Sequence, residues 1–384
     1  MSSFGDPIAG VRVDAAALLE WTSDVVRRLG TPDDIAQDVA EVVVAADLRG
    51  IASHGTFRLP VYAALAEAGV IATAARPVRD RGTRVLSRWN AGDGWGPHAG
   101  RVLMDDAIER ASDLGMAASV AHHASHFGIA GWYSIRAASR GLIGMTMTNA
   151  SPLVAPTRSR KRLLGTNPIA VAAPAGRFGT FVLDMATSAI TWGRVLVADR
   201  RGEAIEPGVA IDGGGRPSTD PSEVLREGAL LPLGGSESTA GYKGYGLALL
   251  VDVLTGVLAG ANFGSRVVPF STTRGPSNLG QLFLAIDPEL LGDGDFGSRM
   301  ETLCEELVDA PLAPDAPGPV LIPGQPEADI EAERRRNGIL LESGHAEALV
   351  RLGDRLRTPF PGPLPSPQST AAPASVQSRE QEAE

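Results

Sequence analysis

Apolar residues recur along this chain with two periods, helical and alternating, and the segments they mark take turns. Thr31-Pro32-Asp33-Asp34 reads as a helix start: a capping hydroxyl, a proline for the first turn, and acids at the positive end of the helix dipole. The helix is predicted to run to about Arg49, with Ile35, Val39, Val42, Val43 and Ala46 on its buried face. The polar interruption Ser53-His54-Gly55 separates it from a shorter helix over 59–68 that stops at Gly69. Beyond residue 97 the pattern predicts helix 97–114, strand 117–121, helix 131–140, strand 143–148, and further strands over 169–173 and 180–183. Residues 192–216, rich in glycine and charge, read as a surface excursion. A Gly- and Leu-rich helix over 242–259, a strand over 281–286 and a helix over 296–310 follow, and helices over 327–336 and 343–357 close the pattern. The mixture is α/β with helices at both ends. After Phe360 little remains to bury among Pro, Ser, Ala, Gln and Glu, so 361–384 reads as a disordered Pro-rich tail.

Composition narrows the class. A chain of 384 residues suits one compact subunit of two or three closely packed lobes. A net charge of −10 argues against general affinity for nucleic acid or anionic membranes. The single cysteine, Cys304, excludes an intramolecular disulfide and a cysteine-clustered metal site, and fits a reducing cytoplasm. The first residues lack the basic start and apolar run of a secretory signal, and the most apolar stretch, 247–259, is short and carries Asp252; a soluble cytoplasmic protein is expected. Gly292-Asp293-Gly294-Asp295-Phe296-Gly297 spells a dinucleotide fingerprint, but its two aspartates would repel a pyrophosphate and the preceding strand ends too early, so it reads as a surface turn.

Five segments carry chemistry. In Asp47-Leu48-Arg49-Gly50-Ile51-Ala52-Ser53-His54-Gly55, the imidazole of His54 is free to enter a cleft and exchange a proton at neutral pH, with Ser53 to position it or relay the proton. Arg58, four residues on, could clamp a carboxylate; the alternative is a helix-terminal histidine beside a solvated arginine. His122-His123-Ala124-Ser125-His126-Phe127-Gly128 lies between a strand and a helix. No cysteine or suitably spaced acid completes a zinc set there, and the context favours a ligand at a helix N-terminus, or else a polar capping loop. Thr148-Asn149-Ala150-Ser151-Pro152 and Leu164-Gly165-Thr166-Asn167-Pro168 are small polar loops at strand ends, able to hold a carboxamide or hydroxyls. Asp184 in Leu183-Asp184-Met185-Ala186-Thr187-Ser188 could orient a histidine, bond a ribose, or cap the next helix. Lys243 opens a Gly-rich helix, where it could meet a phosphate or stand in solvent.

In this order the phrases DLRGIASHGTFRLP, SHFGIAGWYS, MTNASPLVAP, LLGTNPIAVAAP, FVLDMATSAI and YKGYGLALLVDVLTG resemble the type-2 malate/L-lactate dehydrogenase family over roughly residues 15–345. That family includes relatives acting on ureidoglycolate, sulfolactate, diketogulonate and cyclic imino acids. The resemblance implies a non-Rossmann mixed sheet with a helical N- and C-terminal lobe, 1–80 with 325–360, bearing the SHG motif. Residues 81–324 would form the cofactor-binding and dimerisation region. It further implies NADH or NADPH as cofactor, a small carboxylate substrate, and a homodimer with the active site near the subunit interface; the spacing of the histidines and acids leads to no expected metal. By position, Ser53, His54, His126 and Asp184 would be catalytic, and Arg58, Thr148 and Asn149 would bind substrate. His126, Phe127, Gly128, Ser151, Asp184, Met185, Ala186, Lys243, Pro323, Gly324 and Gln325 would bind the cofactor. A carboxylate such as Asp184, if close, would raise the imidazole pKa. The expected reaction is hydride transfer at C2 of a 2-hydroxy/2-oxo acid; reduction of a C=N bond in a cyclic 2-imino acid and a non-catalytic binding homologue are the alternatives. Three departures stand out. Gln325 replaces the family's glutamate, 235–241 looks longer than usual, and Arg158-Ser159-Arg160-Lys161-Arg162 is unusually basic, which would suit an extra cofactor phosphate, an acidic substrate, or solvent.

Overall fold

The computed structural model describes residues 10–290 and 294–364. The elements in order are β1 (Gly10–Val13), α1 (Ala15–Arg28), α2 (Asp33–Leu48), α3 (Leu59–Glu67), β2 (Val78–Gly82), β3 (Leu86–Asn90), α4 (Gly96–Leu114), β4 (Met116–Ala124) and α5 (Ala130–Ala138). Then come β5 (Ile143–Thr148), β6 (Ile169–Pro174), β7 (Thr180–Met185), α6 (Trp192–Arg201), β8 (Ala210–Ile211), α7 (Pro221–Arg226), β9 (Ala229–Leu230) and α8 (Gly241–Asp252). The chain closes with β10 (Leu279–Ile286), α9 (Phe296–Val308), α10 (Gln325–Asn337), β11 (Ile339–Glu342) and α11 (Ser343–Leu356).

The main sheet has the order β2-β3-β4-β10-β5-β6-β7, and within it only β3 and β4 run parallel. A parallel neighbour needs a crossover, and α4 supplies it. Strand alternation sends Ala117, Ala121, Phe283 and Ala285 toward α4 and α5, while Val120, Met147 and Leu282 pack against Val251 and Ala259 on the other face. The small residues of β4 let α4 approach closely, and Gly144 of β5 does the same for α5. A second core joins α1, α2, α3, β1, β11 and α11 around Trp21, Ile35, Val39, Tyr62 and Ile339. Every apolar position predicted for α2 is fully buried.

The structure departs from the sequence pattern in several places. Thr31 does not cap α2; its hydroxyl accepts the indole N–H of Trp95 at 2.9 Å, and Pro32 holds the cap position instead. The region 192–216 is not a mere excursion: α6 and β8, with α7 and β9, enclose a small core of Val195, Ala198, Ile205, Ala210 and Val224. The helix over 242–259 is α8 continued through a π-helical turn, Val253–Val257. β4 extends to Ala124 and so takes in His122 and His123. Gly292 and Asp293 of the glycine-rich spelling lie outside the described residues, as do 365–384 of the predicted tail. Residues 361–364 are described: the Leu364 N–H donates to the Arg12 carbonyl at 2.8 Å.

Candidate active site

Between α2 and α3 the chain makes two successive 3-10 turns, Ala52–His54 and Thr56–Arg58. They throw His54 and Arg58 to one side while Thr56 is fully buried. Ser53 Oγ lies 2.8 Å from His54 Nδ1, and Arg58 Nε donates to the Ser53 carbonyl at 2.6 Å, which ties the turn to itself. The His54 ring stacks on that of His126, with centroids 5.5 Å apart and planes 23° from parallel. His126 in turn stacks on Phe270 at 4.6 Å, and the Arg58 guanidinium sits over the Phe270 ring at 5.2 Å. The result is a layered wall of two imidazoles, a phenyl ring and a guanidinium, drawn from three distant segments.

The three clustered histidines part company. His122 Nε2 meets Asp80 at 2.8 Å, His123 Nδ1 faces Asp93 at 3.3 Å, and His126 alone turns into the cleft. The Tyr62 hydroxyl lies 2.6 Å from His126 Nδ1, and the Gly128 N–H donates to the same atom at 3.4 Å. An acceptor at Nδ1 makes Tyr62 the donor and leaves the proton of neutral His126 on Nε2.

The charge facing these rings is positive. Desolvation and then Arg58 lower the His54 pKa to about 4. Burial, His54 and Arg58 push His126 well below the ordinary imidazole value. The expectation that Asp184 lifts the imidazole pKa therefore fails: Asp184 Oδ2 instead accepts the Gly131 N–H at 2.7 Å, where α5 begins. Asp184 keeps contact with solvent, yet protein crowds it enough to raise its carboxyl to about 6, against the lowering pull of that N–H and of Arg49. A Cβ on Gly131 would stand 2.7 Å from Asp184 Oδ2, so glycine is needed for this close approach.

The other expected residues sort by place. Met185 and Ala186 follow Asp184 at the end of β7, and the Val182 N–H of the same strand donates to the Pro323 carbonyl at 2.9 Å, which brings Pro323, Gly324 and Gln325 alongside. Gln325 Oε1 accepts the Ile322 N–H at 3.3 Å, a local bond that needs no charge. Lys243 stands exposed on the first turn of α8, and Ser151 is half-buried after β5. Phe127 points into the core, stacked on Tyr133 at 4.9 Å. Thr148 and Asn149 are committed to the fold: Thr148 Oγ1 donates to the carbonyls of Asn149 and Gly280, Asn149 Nδ2 donates to Asp252 and to the Asn262 carbonyl, and Asn149 Oδ1 accepts the Gly280 N–H. In the basic segment, Arg158 pairs with Glu237 and Arg162 donates to the Gly228 and Val224 carbonyls, while Arg160 and Lys161 face solvent. The sequence reading passed over Tyr62, Phe270, Asp47, Thr56 and His345, all of which touch this site or its support.

A family profile described as malate/L-lactate dehydrogenase matches residues 13–350. The chain belongs to this family. It is 39% identical over 307 residues to a malate dehydrogenase of Pyrococcus abyssi, covering 79% of this chain and 84% of the relative. An L-sulfolactate dehydrogenase of Methanothermobacter thermautotrophicus is 34% identical over 347 residues, 90% of this chain and 97% of the relative. Among solved structures, the malate dehydrogenase of Pyrococcus horikoshii OT3 superposes with a TM-score of 0.85 at 34% identity, covering 92% and 98% of the two chains. The delta1-piperideine-2-carboxylate reductase of Pseudomonas syringae pvar. tomato gives 0.80 at 30% identity, covering 89% and 99%. The fold is thus the mixed-sheet fold of these dehydrogenases, and the chain is an oxidoreductase.

Proposed function

We propose that the chain transfers hydride between a nicotinamide cofactor, NADH or NADPH, and C2 of a small 2-hydroxy/2-oxo acid. The observation that carries this reading is Arg58. Its guanidinium is half-buried over Phe270, its pKa lowered by desolvation, and no salt bridge to an acid engages it among the described residues. A buried cation without a counter-ion is stabilised by an anionic ligand, and the planar fork of arginine suits a carboxylate.

When bound, the cofactor supplies or accepts the hydride. The residues at the end of β7 suit such a group: Asp184 stands exposed there, held by the Gly131 N–H at the start of α5, with Met185, Ala186 and the 323–325 turn beside it. Lys243, Ser151 and Gly128 are proposed as further contacts. Arg58 would hold the substrate carboxylate and so orient C2. His54 then works at the neighbouring oxygen. With a resting pKa near 4 it is neutral at pH 7 and is poised to take the hydroxyl proton in the oxidising direction. Reduction needs it protonated, and a substrate carboxylate on Arg58 would offset the charge that, after desolvation, helps keep it neutral. Ser53, at 2.8 Å from Nδ1, steadies the ring. His126 and Phe270 wall the cleft against water.

The likeness to a piperideine-carboxylate reductase favours a second substrate class, cyclic 2-imino acids, whose carboxylate would use the same Arg58. A homodimer is proposed as well: along α8 and its π-helical extension, Tyr242, Leu249, Leu250, Val253, Val257 and Leu258 expose an apolar stripe. No helix among the described residues is long and apolar enough to cross a membrane. Cys304, buried and unpaired, suits the reducing cytoplasm we assign to the chain.

The test is oxidation of NADH and NADPH with pyruvate, oxaloacetate, 2-oxoglutarate, glyoxylate derivatives and piperideine-2-carboxylate. Turnover of a 2-oxo acid supports the first reading, and turnover of the imine alone selects the second. Failure to turn over any of them together with failure to bind either nucleotide overturns both.

A further inference from the structure

The turn that presents His54 and Arg58 has little beneath it to hold it. Of its side chains only Thr56 is fully buried, and below Thr56 lies Asp47, on the last turn of α2 and also fully buried. Asp47 Oδ2 accepts the Thr56 N–H at 2.8 Å and the Thr56 hydroxyl at 2.6 Å. Its other oxygen, Oδ1, has no hydrogen-bond partner and packs against Gly55; a Cβ on Gly55 would stand 1.9 Å from it. The carboxylate and the turn therefore fit each other only with glycine after the histidine.

A third element closes the set. His345, near the start of α11, places Nε2 3.1 Å from Thr56 Oγ1. Thr56 gives its one proton to the carboxylate, so the histidine must be the donor, with its proton on Nε2. Burial supports the neutral form by lowering the His345 pKa to about 4. The same imidazole meets the Phe57 ring edge-on, with centroids 5.6 Å apart. From α10, Arg334 donates to the Asp47 main-chain carbonyl and is the other charge facing this acid.

We propose that Asp47, acting through Thr56 and His345, is the positioning group of the site: the relay His345 Nε2–H to Thr56 Oγ–H to Asp47 carboxylate sets the turn that aims His54 and Arg58. The proposal rests on the hydride-transfer reading for what His54 does, but not for where His54 is held. The end of α2 and the turn, neighbours in the chain, and α11, nearly three hundred residues away, thereby bear on one catalytic ring. The hydrogen bonds of Ser53 and Arg58 tie the turn only to itself, and its outward contacts on the cleft side are ring and cation–π contacts with His126 and Phe270, so the hydrogen bonds that anchor it from beneath run through Thr56.

The experiment uses the full chain with its six histidines labelled at the ring carbon, each signal assigned by replacement with Asn. Thr56→Val keeps the side-chain shape and removes the hydroxyl, and Thr56→Ser restores it. Thr56→Val is expected to move the His54 and His345 signals and to leave those of His98 and His122, which report an intact fold. It is also expected to lower kcat by about tenfold, the worth of one well-placed hydrogen bond, with little change in nucleotide Kd. Thr56→Ser should return signals and kcat toward the parent. Asp47→Asn provides a second probe, should Thr56→Val fold poorly, and should move the same two signals. Unchanged His54 signals and kcat in folded Thr56→Val and Asp47→Asn would overturn the proposal. If the parent turns over no substrate, the hydride-transfer reading fails, and the histidine signals still decide the positioning role.

Discussion

Replacing Arg58 tests both the anchoring of substrate and the electrostatics of His54 in one variant. Arg58→Gln removes the cation expected to hold the carboxylate. Truncating one partner of a buried, hydrogen-bonded charge pair costs about 2–5 kcal/mol, and the half-buried position of Arg58 argues for the lower part, about 2–3 kcal/mol. At about 1.4 kcal/mol per decade this is a loss of roughly thirty- to a hundredfold or somewhat more in kcat/KM. Arg58→Lys keeps the charge and loses the planar fork, so a loss of about tenfold is expected. The two variants differ in a second observable. Desolvation first and Arg58 second depress the His54 pKa to about 4. Gln removes the second cause only, so the pKa rises but stays below its ordinary value, whereas Lys leaves it low. In the oxidising direction, where neutral His54 accepts a proton, kcat/KM falls as pH drops through that pKa. The acid limb should therefore move to higher pH in Arg58→Gln and not in Arg58→Lys. The assay is the initial rate from reduced-nicotinamide absorbance across pH, with the amide of the best substrate as control. An equal loss on acid and amide, or an acid limb that stays put in Arg58→Gln, would refute the reasoning.

Three further outcomes follow from other parts of the molecule. Tyr62→Phe removes the donor 2.6 Å from His126 Nδ1 and should cost about 1 kcal/mol, or roughly fivefold in kcat/KM, with an unchanged fold by circular dichroism; a parental rate would show that the tyrosine does not orient His126. Asp47 has its carboxyl raised from 3.8 to about 6 by burial, so the folded state holds the proton more tightly and this group's contribution declines as pH rises from 3.8 through 6, by about 3 kcal/mol in all. The opposite slopes from His54 and His345, whose lowered values withdraw stability as pH falls below 6.5 toward 4, are common to both proteins, so the melting-temperature difference of Asp47→Asn from the parent should shift in favour of the variant between pH 4 and 7; a constant difference sinks the argument. Leu250→Asp on the exposed face of α8 should halve the mass measured by light scattering, and a parental mass with unaltered concentration dependence would remove that face from the dimer interface.

The parts of the fold readable from sequence are those whose pattern is local. β5 appears over the expected residues, and the apolar face of α2 is buried position for position, because each is amphipathic or apolar on its own. β2 could not be read, since all five of its residues, Val-Arg-Asp-Arg-Gly, are exposed at the sheet edge, where pairing follows from β3 and not from burial. β1 pairs with β11 across more than three hundred residues, and no local pattern announces such a ladder. α6 was hidden because it buries only Val195 and Ala198 against a sub-core supplied by α7, β8 and Val154. The site divides in the same way. Ser53, His54 and Arg58 are neighbours in sequence and could be grouped at sight. Tyr62 sits in a helix where an aromatic residue reads as core, Phe270 lies in a loop without period, and His345 opens a surface helix. Thr148 and Asn149 show the converse: small polar residues after a strand look free for a ligand, yet the neighbouring backbone at Gly280 and Asn262 takes up their polar atoms.

The electrostatics of the cleft bear on the direction of chemistry. Arg58 is the charge beside His54, and the two acids expected or found nearby are turned elsewhere, Asp184 to the Gly131 N–H and Asp47 to Thr56. The resting imidazole is therefore a base and not an acid. On the proposed function, a 2-hydroxy acid entering this cleft would meet a neutral His54 ready to take its hydroxyl proton. A 2-oxo acid would meet the same neutral ring, and the proposed reduction would first have to bring in a proton. Its carboxylate, by pairing with Arg58, removes part of the positive field that opposes this protonation. On the proposed mechanism, substrate anion and catalytic proton would be coupled through one arginine, and reduction should slow with rising pH while oxidation should not. The coupling needs Arg58 and His54 held on one rigid turn, because a field that falls with distance acts on the ring only while the two stay close.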